Sequence, residues 1–548
     1  MTLPLRMLIS DLQATLEADQ VVLPGSDQYN AALKRWAASI EKPAGVVVYP
    51  KTSRDISAAI KLARKHSTPF TTVCGGHGTS GDSSITDGML INMRRMNSVK
   101  VDAEKLTLTC GGGCLWEEID RASVPHNISS VGGTVQQTGV AGYTTGGGFG
   151  FLSGTKGLAI DNLLSAEIVL ADGRIVRCSK TEEPDLFWAI RGAGHMFGVI
   201  TEFVFQGFHQ PNPVYGGMVI FPPSPPAIKH LINFANNMFA NSDGRTGMMC
   251  GFATPPHLKK RIIFGCCFHD GPESEALQIF GPLINDPVVK PIKVGLKAMN
   301  MSEMNSVLGM AAAAPGRRIS KGAVYSSPLP PSAFEQVLNM YEELVRECPE
   351  AGQSGSGLFE FYPLKKIASV PATATAFPAR SLHSNAMIVP RWDSPENDTL
   401  CRNFASNAMK VISGCKGETD HAATEYINYD GVGTPASKIY GLNYPRLCEL
   451  KTRYDPQNVF SKRFGLEPAT LSSDKSGEVH DSEIGGGEVM STSTASSAQS
   501  SRPATPLQVP FHAAVHHGVV VVDDAGRRLA GTKMGRVQTE IVPVEQES

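Results

Sequence analysis

The chain lacks an excess of charge of either sign, long apolar runs and paired-cysteine motifs. Its 548 residues include 50 lysines and arginines against 52 aspartates and glutamates, which gives a formal net charge of -2. So balanced a chain offers no extended basic surface for nucleic acid or an anionic membrane. No uninterrupted apolar segment approaches the roughly 20 residues that a membrane-spanning helix needs. We therefore expect a small neutral or mildly polar ligand, with no nucleic acid and no membrane as partners.

The cysteines and the first residues of the chain indicate the compartment. The chain has 11 cysteines, an odd number, and no Cys-x-x-Cys pair, so free buried thiols are expected. Cys110 and Cys114 have no second pair or nearby histidine to complete a zinc set. Asp11 and Glu17 interrupt the N-terminal segment before an apolar core typical of a secretory signal develops. These features predict a cytoplasmic protein without a structural metal.

The apolar pattern predicts an α+β chain of several segments. Residues 1–40 are predicted to be a helical extension. Residues 41–209 alternate strand-like runs with short helices and form one α+β unit. Residues 210–425 are predicted to be a second domain on an antiparallel sheet. Together these segments allow a large buried site.

Local signals predict particular turns and caps. Ser53 is a candidate N-cap of the helix that follows the first apolar run. Asp172 and Gly173, between two strand-like runs, predict a hairpin with a type I′ turn. Ser332 and Glu335 have the spacing of a capping box.

Residues 468–548 are rich in serine, threonine, glycine and acidic residues, which predicts a low-complexity, disordered tail. Within it, Phe511–Val522 is a candidate strand pair, and His512, His516 and His517 have helical metal spacing. Because these histidines have no carboxylate or thiolate partner, no metal site is predicted.

Two glycine-rich segments are the strongest functional signal. Cys74–Gly81 sets His77 among glycines directly after the predicted strand Phe70–Val73. Glycines let the backbone approach a ligand and leave amide N–H groups free to point at phosphate oxygens. Gly139–Gly150 follows, and two such loops can hold the two ends of a dinucleotide. Neither fits the GxGxxG fingerprint or the P-loop, so both common nucleotide folds are disfavoured. A purely structural role for the first loop is the alternative.

The order of several blocks resembles a known family. They are Gly75–His77, Gly146–Gly150, Gly157–Asn162 and Asp185–Gly194, with Tyr426–Tyr429, Tyr440–Leu447 and Tyr454–Phe460 near the C-terminus. Over about residues 35–465 the chain resembles the vanillyl-alcohol-oxidase type of FAD-binding protein, and specifically the berberine-bridge-enzyme-like oxidases. The resemblance implies a two-subdomain PCMH-type FAD-binding domain over 41–209. It also implies a substrate domain over 210–425 with helices covering its sheet, and a segment 426–467 that returns to the FAD domain.

The resemblance implies FAD, joined through a ring nitrogen of His77 to the 8α carbon of the flavin. A histidine that only caps the loop, with FAD held noncovalently, is the alternative. The other residues implied to bind the cofactor are Cys74, Gly75, Gly76, Gly78, Thr79, Ser80, Thr138, Gly139, Gly142, Tyr143, Thr145, Gly146, Gly147, Gly148, Asn162, Ile200, Asn443 and Asn458.

The chain departs from the family at three positions. Val135 stands where many relatives carry a cysteine that attaches FAD a second time, and no cysteine lies between Cys114 and Cys178. We therefore predict one covalent bond only. Val73 stands where relatives often carry arginine, so backbone amides would have to do more at the phosphates. Tyr143 replaces a common histidine.

The reaction implied is oxidation of a C–H bond beside oxygen or nitrogen, in which hydride moves to flavin N5 and dioxygen reoxidises the flavin. Tyr429 matches the tyrosine that serves as base in some relatives, although an ordinary tyrosine is a poor base at neutral pH. Glu360 is an alternative base. The favoured interpretation, however, is that Glu360 lies on the solvated outer face of the sheet and has no catalytic role. Thr138 falls where the family controls oxygen access.

The sequence thus predicts an FAD-dependent oxidoreductase, an oxidase acting on a small organic substrate of secondary metabolism such as an alcohol, amine or phenolic precursor. A carbohydrate or alcohol oxidase and a flavin-binding protein without turnover are the alternatives. A metal-dependent hydrolase is a third option, raised by the 14 histidines. The sequence predicts no particular substrate and no oligomeric state.

Overall fold

The computed structural model describes residues 2–255, 260–309, 315–417, 426–429 and 433–469. The predicted strand pair Phe511–Val522, with His512, His516 and His517, lies outside these ranges, as does the predicted tail from residue 470 on. No helix in the described ranges has the length and hydropathy that crossing a bilayer requires.

The helices of the described ranges are distributed over the whole length of the fold. They are Leu3–Thr15, Asp27–Leu33, Ser53–Lys65, Trp116–Ser123, Val140–Thr145, Ser153–Lys156, Pro184–Ala193, Pro225–Asn241, Glu273–Ile284, Met301–Ser306, Pro331–Glu347, Lys365–Ala368, Asp398–Ser413, Ala436–Tyr440 and Tyr444–Tyr454.

The first sheet carries the first glycine loop. Among the described residues it has four strands, in the spatial order Val21–Val22, Val46–Val48, Met89–Asn92 and Phe70–Val73. The first pair is antiparallel and the other two pairs are parallel. Helix Ser53–Lys65 makes the crossover, because Ile56, Ile60 and Ala63 share one face and bury it on the sheet. The first loop therefore leaves the carboxyl end of a parallel strand.

Two predicted helix caps are wrong. Thr52, not Ser53, caps helix Ser53–Lys65: its hydroxyl accepts the Asp55 N–H at 3.3 Å, and the Asp55 carboxylate accepts the Thr52 N–H at 2.9 Å. The Ser53 hydroxyl instead donates to Glu167. Likewise Ser332 lies inside the first turn of helix Pro331–Glu347, whose N-cap is Pro330. Pro331 takes the first helical position, which proline favours because its missing N–H is not needed there.

The second sheet is antiparallel and lies within residues 99–206. Its five strands within the described ranges, in spatial order, are Val99–Asp102, Thr107–Gly111, Gly198–Gln206, Leu163–Leu170 and Ile175–Ser179. The predicted hairpin at Asp172 and Gly173 is confirmed. The predicted type I′ turn is wrong, because Gly173 alone has a positive φ, +83°.

The third sheet is antiparallel, as predicted for residues 210–425. Its described strands, eight in all, are Val214–Phe221, Thr246–Ala253, Ile262–His269, Lys293–Val294, Lys297–Met299, Lys321–Tyr325, Ser356–Phe361 and Ser384–Val389. Two further short pairs join Ile128–Ser129 to Phe208–His209 and Arg317–Arg318 to Arg391–Trp392.

The two faces of this third sheet have different neighbours. Cys250 and Phe252 point into a large apolar core with helices Pro225–Asn241, Pro331–Glu347 and Asp398–Ser413. Met249, between them in sequence, points to the opposite face, as strand alternation requires. That opposite face is therefore the one available to a ligand.

The closing segment packs on the second sheet. Leu447, Leu450 and Tyr454 of helix Tyr444–Tyr454 share an apolar cluster with residues of that sheet, among them Phe203. The buried Lys451 ammonium donates to Asp455 at 2.7 Å and to the Met196 carbonyl at 2.7 Å. A buried charge must be paired in this way, and the bond to the Met196 carbonyl also fastens the segment to the residues just before the central strand of the second sheet. The predicted boundaries at 40, 209, 425 and 467 stay predictions.

Candidate functional site

One large cavity brings together the two glycine loops, the open face of the third sheet and the closing segment. The sequence-predicted residues that line it are Cys74, Gly75, Gly76, His77, Gly78, Ser80, Thr138, Gly139, Gly142, Tyr143, Thr145, Ile200 and Tyr429. Segments far apart in sequence therefore meet at one place, as a dinucleotide site requires.

The two loops contact each other backbone to backbone. A Cβ atom on Gly75 would lie 2.3 Å from the Gly139 nitrogen, and one on Gly139 would lie 2.4 Å from the Gly75 nitrogen. Only glycine permits this approach. By contrast, a Cβ on Gly78 or Gly142 would meet nothing within 4 Å, so these two glycines border open space. The loops thus form a cradle with exposed backbone, which fits the predicted FAD.

His77 faces this cavity with an uncharged ring. Its ring stacks on the indole of Trp36, with centroids 5.4 Å apart and planes 13° apart. Desolvation, followed by the positive charge of Arg318, lowers the pKa of His77 to about 4. Neither ring nitrogen accepts or donates a hydrogen bond to a described residue. A neutral imidazole has a nitrogen lone pair available for bonding, which suits the predicted link to the flavin.

Glu360 lies on the cavity-facing side of the third sheet but is itself buried, so the favoured interpretation of a solvated outer face is wrong. Phe359 and Phe361 point to the helix-covered core, and Glu360 points the other way with an exposed fraction of 5%. The face is not solvated because Tyr429 and its neighbours cover it. The Tyr429 hydroxyl donates to Glu360 Oε1 at 2.5 Å, and Asn385 Nδ2 donates to Oε2 at 3.1 Å.

Burial raises the pKa of Glu360 to about 7, because the two hydrogen bonds only partly offset the loss of water. Burial, and next the nearby Glu360 carboxylate, raise the pKa of Tyr429 well above its ordinary value. Tyr429 therefore resists becoming a phenolate, and Glu360 is the member of the pair that takes a proton near neutral pH. The pair can move a proton from the cavity to a buried carboxylate.

Tyr426 and Asn428 hold Tyr429 in place, and sequence reasoning did not identify either of them as a site residue. The rings of Tyr426 and Tyr429 meet edge to face at 4.8 Å. The Tyr426 hydroxyl accepts the N–H groups of Gly148 at 3.2 Å and Phe149 at 3.4 Å, and Asn428 Nδ2 donates to it at 2.9 Å. The backbone at Gly148 and Phe149 therefore supports Tyr429 through Tyr426. In the sequence, Gly146–Gly150 and Tyr426–Tyr429 were two separate blocks of the resemblance, and nothing indicated that they are in contact.

Gly146, Gly147 and Gly148 do not line the cavity. A Cβ on Gly146 would lie 2.0 Å from Asn428, one on Gly147 2.8 Å from Phe377, and one on Gly148 2.6 Å from Tyr143. These glycines are required by close packing against protein. Their predicted contacts with the cofactor stay predictions.

Other predicted cofactor residues also contact protein. Thr79 bonds through its hydroxyl to Ser320 at 3.0 Å. Asn162 donates to the Leu158 carbonyl at 2.8 Å, Asn443 to the Ala372 carbonyl at 2.8 Å, and Asn458 to Glu467 at 2.6 Å. None of the four side chains is among the described residues that line the cavity. In this structure they support turns and connections around the site.

The closing segment brings positive charge to the cavity, which the sequence reasoning missed. Lys462 and Arg463 both line it, and Lys462 Nζ donates to the Ser84 carbonyl at 3.1 Å. Arg463 Nε is buried without a hydrogen-bond acceptor among the described residues, although the Asp82 carboxylate lies 3.6 Å away. Both ring nitrogens of His195, another lining residue, are likewise without a partner there. Buried donors of this kind fit an anionic group such as a diphosphate.

The part of the cavity next to the third sheet is largely apolar. Val135, Met249, Leu308, Leu358 and Met387 line it. The described residues contain no group of three or more histidine, cysteine or carboxylate side chains placed to hold a metal ion. Tyr429, with the buried Glu360 behind it, thus stands in a wall made mostly of aliphatic and thioether groups, although Ser356 and Asn428 also line the cavity.

Comparisons with known proteins agree with this geometry. Residues 44–179 match the FAD binding domain model, and residues 425–466 match the model for berberine and berberine-like proteins. The FAD-linked oxidoreductase pgmH of Aspergillus terreus is 32% identical over 467 residues, which cover 81% of this chain and 92% of the relative.

Solved structures share the fold. Xylooligosaccharide oxidase from Myceliophthora thermophila superimposes with a TM-score of 0.70 at 22% identity, over 85% of this chain and 100% of that one. A variant of berberine bridge enzyme superimposes with a TM-score of 0.72 at 20% identity, over 85% and 99%. At this identity the likeness concerns the fold alone.

Proposed function

Because the chain belongs to the berberine-bridge-enzyme-like family of FAD-linked oxidoreductases, we infer that it is an oxidase for a small, largely apolar organic alcohol, amine or phenol. The observation that carries this inference is the hydrogen bond from Tyr429, in a mostly apolar cavity wall, to the buried Glu360 behind it. A hydrogen-bonded tyrosine and carboxylate beside a flavin site can act as the base in oxidation of a C–H bond whose neighbouring O–H or N–H must lose a proton.

The chain's own residues would hold FAD at both ends of the cavity. FAD, when bound, accepts a hydride at N5. The amides of the first glycine loop, with Lys462 and Arg463, suit the diphosphate. His77 is neutral and suits a single covalent bond to the flavin, and Val135 offers no second attachment. This single bond is part of the proposal.

Tyr429 and Glu360 would move the substrate proton in one direction. Tyr429 lines the cavity, so its hydroxyl oxygen can accept a hydrogen bond from a substrate hydroxyl or amine. As the substrate proton passes to that oxygen, the Tyr429 proton passes to Glu360 Oε1 along the existing 2.5 Å hydrogen bond. The tyrosine never carries a full negative charge, which its raised pKa disfavours. Glu360 is thus the terminal base and Tyr429 the group that contacts substrate.

The apolar wall supports an apolar substrate. Met249, Leu358 and Met387 offer no hydrogen bonds to the several hydroxyls of a sugar, whose burial without partners costs free energy. An aromatic or aliphatic precursor of a secondary metabolite meets these side chains without that cost. Dioxygen as the final acceptor is part of the same proposal, and Thr138 lines the cavity at the position that by resemblance governs its access.

A panel of substrates mixed with the enzyme without oxygen tests this proposal. Benzylic and allylic alcohols, secondary amines and phenols form one arm, and xylo- and chito-oligosaccharides form the other. We expect members of the first arm to bleach the flavin absorbance near 450 nm and readmitted oxygen to restore it with formation of hydrogen peroxide. Bleaching by oligosaccharides alone would overturn the substrate class. Bleaching by no compound would favour a flavin-binding protein without turnover.

A further inference from the structure

Three segments that are distant in sequence meet around His77. They are residues 35–39, 76–79 and 316–320, which we name the His77 clamp. The backbone N–H of Trp36 donates to the Gly76 carbonyl at 3.0 Å, and the backbone N–H of Ala38 donates to the Gly316 carbonyl at 3.0 Å. The first segment is therefore bound to each of the other two.

The remaining side of the clamp is closed in the same way. The Ser320 N–H donates to the Thr79 hydroxyl oxygen at 3.1 Å, and the Ser39 hydroxyl donates to the Arg318 carbonyl at 2.8 Å. Each of the three segments thus bonds both of its neighbours. Such a closed arrangement limits the movement of the backbone that carries His77.

Two side chains of the clamp form a stack with the His77 ring. The Trp36 indole lies parallel to the imidazole at 5.4 Å, and the Arg318 guanidinium lies over the Trp36 ring with its Cζ 4.5 Å from the centroid. Arg318 is only 2% exposed, and although burial lowers its pKa to about 10 it remains protonated at neutral pH. A desolvated cation on an indole is a strong form of this contact.

The stack has a geometric consequence for bond formation. The reacting lone pair of an imidazole nitrogen lies in the plane of the ring, so the plane must be directed at the carbon that it attacks. No hydrogen bond from a described residue orients either nitrogen of His77. The parallel indole is therefore the contact that selects the plane, and Arg318 holds the indole.

We propose that Trp36 and Arg318 are positioning residues for the attachment of the flavin to His77, holding the imidazole plane so that one nitrogen meets the 8α carbon. The inference rests on the proposed covalent attachment. Overall, one C–H bond of the 8α methyl and the imidazole N–H bond break, and a C–N bond forms. The two electrons and two protons released reduce dioxygen to hydrogen peroxide.

The rate of attachment tests the proposal. Full-length protein is made without flavin and mixed with FAD in air, samples are stopped with acid, and covalent flavin is read by fluorescence of the denatured chain. Flavin bound before denaturation and the melting temperature are measured on the same samples. We expect Trp36→Leu to slow attachment by at least about tenfold with bound flavin preserved, and Trp36→Phe to restore most of the rate. Arg318→Met should slow attachment by a smaller factor.

Arg446→Met is a matched control, because the Arg446 Cζ lies over the Trp188 ring at 4.2 Å, away from His77. It should attach flavin at the wild-type rate. Attachment at the wild-type rate in Trp36→Leu would overturn the proposal. Should Trp36→Leu not fold, a wild-type rate in Arg318→Met would overturn it instead. Release of all FAD from the wild-type chain by acid would contradict the covalent attachment itself, a distinguishable result.

Discussion

The hydroxyl of Tyr429 lies 2.5 Å from Oε1 of Glu360, between the cavity and the third sheet. The hydrogen bond joins a cavity-lining phenol to a carboxylate that has almost no contact with solvent. A similar bond occurs elsewhere in the chain, where the Tyr454 hydroxyl donates to Glu183 at 2.6 Å. That second pair lies outside the cavity and provides controls for the first.

Removing the buried carboxylate of Glu360 should strongly slow the reduction of the flavin by substrate. We expect Glu360→Gln to lower the rate of substrate-driven flavin reduction by about 100-fold or more, because the amide cannot take the proton that Tyr429 passes on. Stopped-flow absorbance without oxygen measures this rate, and flavin content is measured in parallel. Glu183→Gln, the control, should keep the wild-type rate. A Glu360→Gln variant that reduces its flavin as fast as wild type would remove Glu360 from the mechanism.

The hydroxyl of Tyr429 should matter as much as the carboxylate. Tyr429→Phe should lower the flavin reduction rate by about 100-fold, since the substrate then loses its route to Glu360. Tyr454→Phe should not change that rate. Equal rates in Tyr429→Phe and wild type would mean that Glu360 acts on the substrate directly or not at all.

The flavin reduction rate should depend on pH through Glu360. Because the pKa of Glu360 is raised to about 7, the carboxylate form increases as pH rises through 7. The rate should therefore be low near pH 5, rise with a midpoint near 7 and level off above 8. In Glu360→Gln this rise should be absent. A rate that falls as pH increases through 7 would contradict the role of a base.

The same raised pKa predicts a stability effect. Folding favours the protonated carboxyl of Glu360. The stability that this protonated group adds to the folded state is therefore fully present below the ordinary pKa of 4.5 and is lost as pH rises through about 7. The free energy of unfolding of Glu360→Gln minus that of wild type should therefore increase between pH 4.5 and 7, by up to about 3 kcal/mol, and stay level above. Denaturant unfolding at several pH values measures it. A difference that does not change with pH would show that Glu360 titrates normally.

Lys462 should act on the phosphates of FAD and not on its ring. In a His77→Ala background, where flavin binds only noncovalently, Lys462→Met should weaken FAD about tenfold and leave riboflavin unchanged, since only FAD carries the diphosphate. Titration followed by flavin fluorescence measures both constants. Lys42→Met removes a neighbouring exposed lysine and should change neither constant. Equal weakening of FAD and riboflavin would mean that Lys462 supports the fold instead.

Local patterns predicted the parts of the site that depend on backbone. The loop around His77 and the cluster around Gly139 could be identified because glycine is required wherever two backbones touch or a turn needs a positive φ. Strand alternation correctly put Glu360 on the face opposite Phe359 and Phe361. Whether that face is wet or dry depends on Tyr429, which comes from a distant part of the chain, so sequence alone favoured the wrong answer.

Contacts between distant side chains could not be predicted. Trp36, which stacks on His77, and Arg318, which lies over Trp36, come from separate segments. No periodicity or motif in the sequence connects these segments. Lys462 and Arg463 lie inside the segment that resembles the family, just after the block Tyr454–Phe460, but two charged residues on a loop usually face solvent. Asn443 and Asn458 were predicted from the resemblance to contact cofactor, yet in the structure Asn443 bonds the backbone carbonyl of Ala372 and Asn458 bonds the exposed Glu467.

Gly75 and Gly139 lie so close that neither has room for a methyl group. A change at one of them cannot be repaired by a change in side chain at the other, because what each glycine meets is the other's backbone. Chimaeras of this chain with its relatives are therefore constrained. A crossover between residues 75 and 139 joins loops from two parents, and it should yield folded protein only where both parents share the same backbone path at this contact.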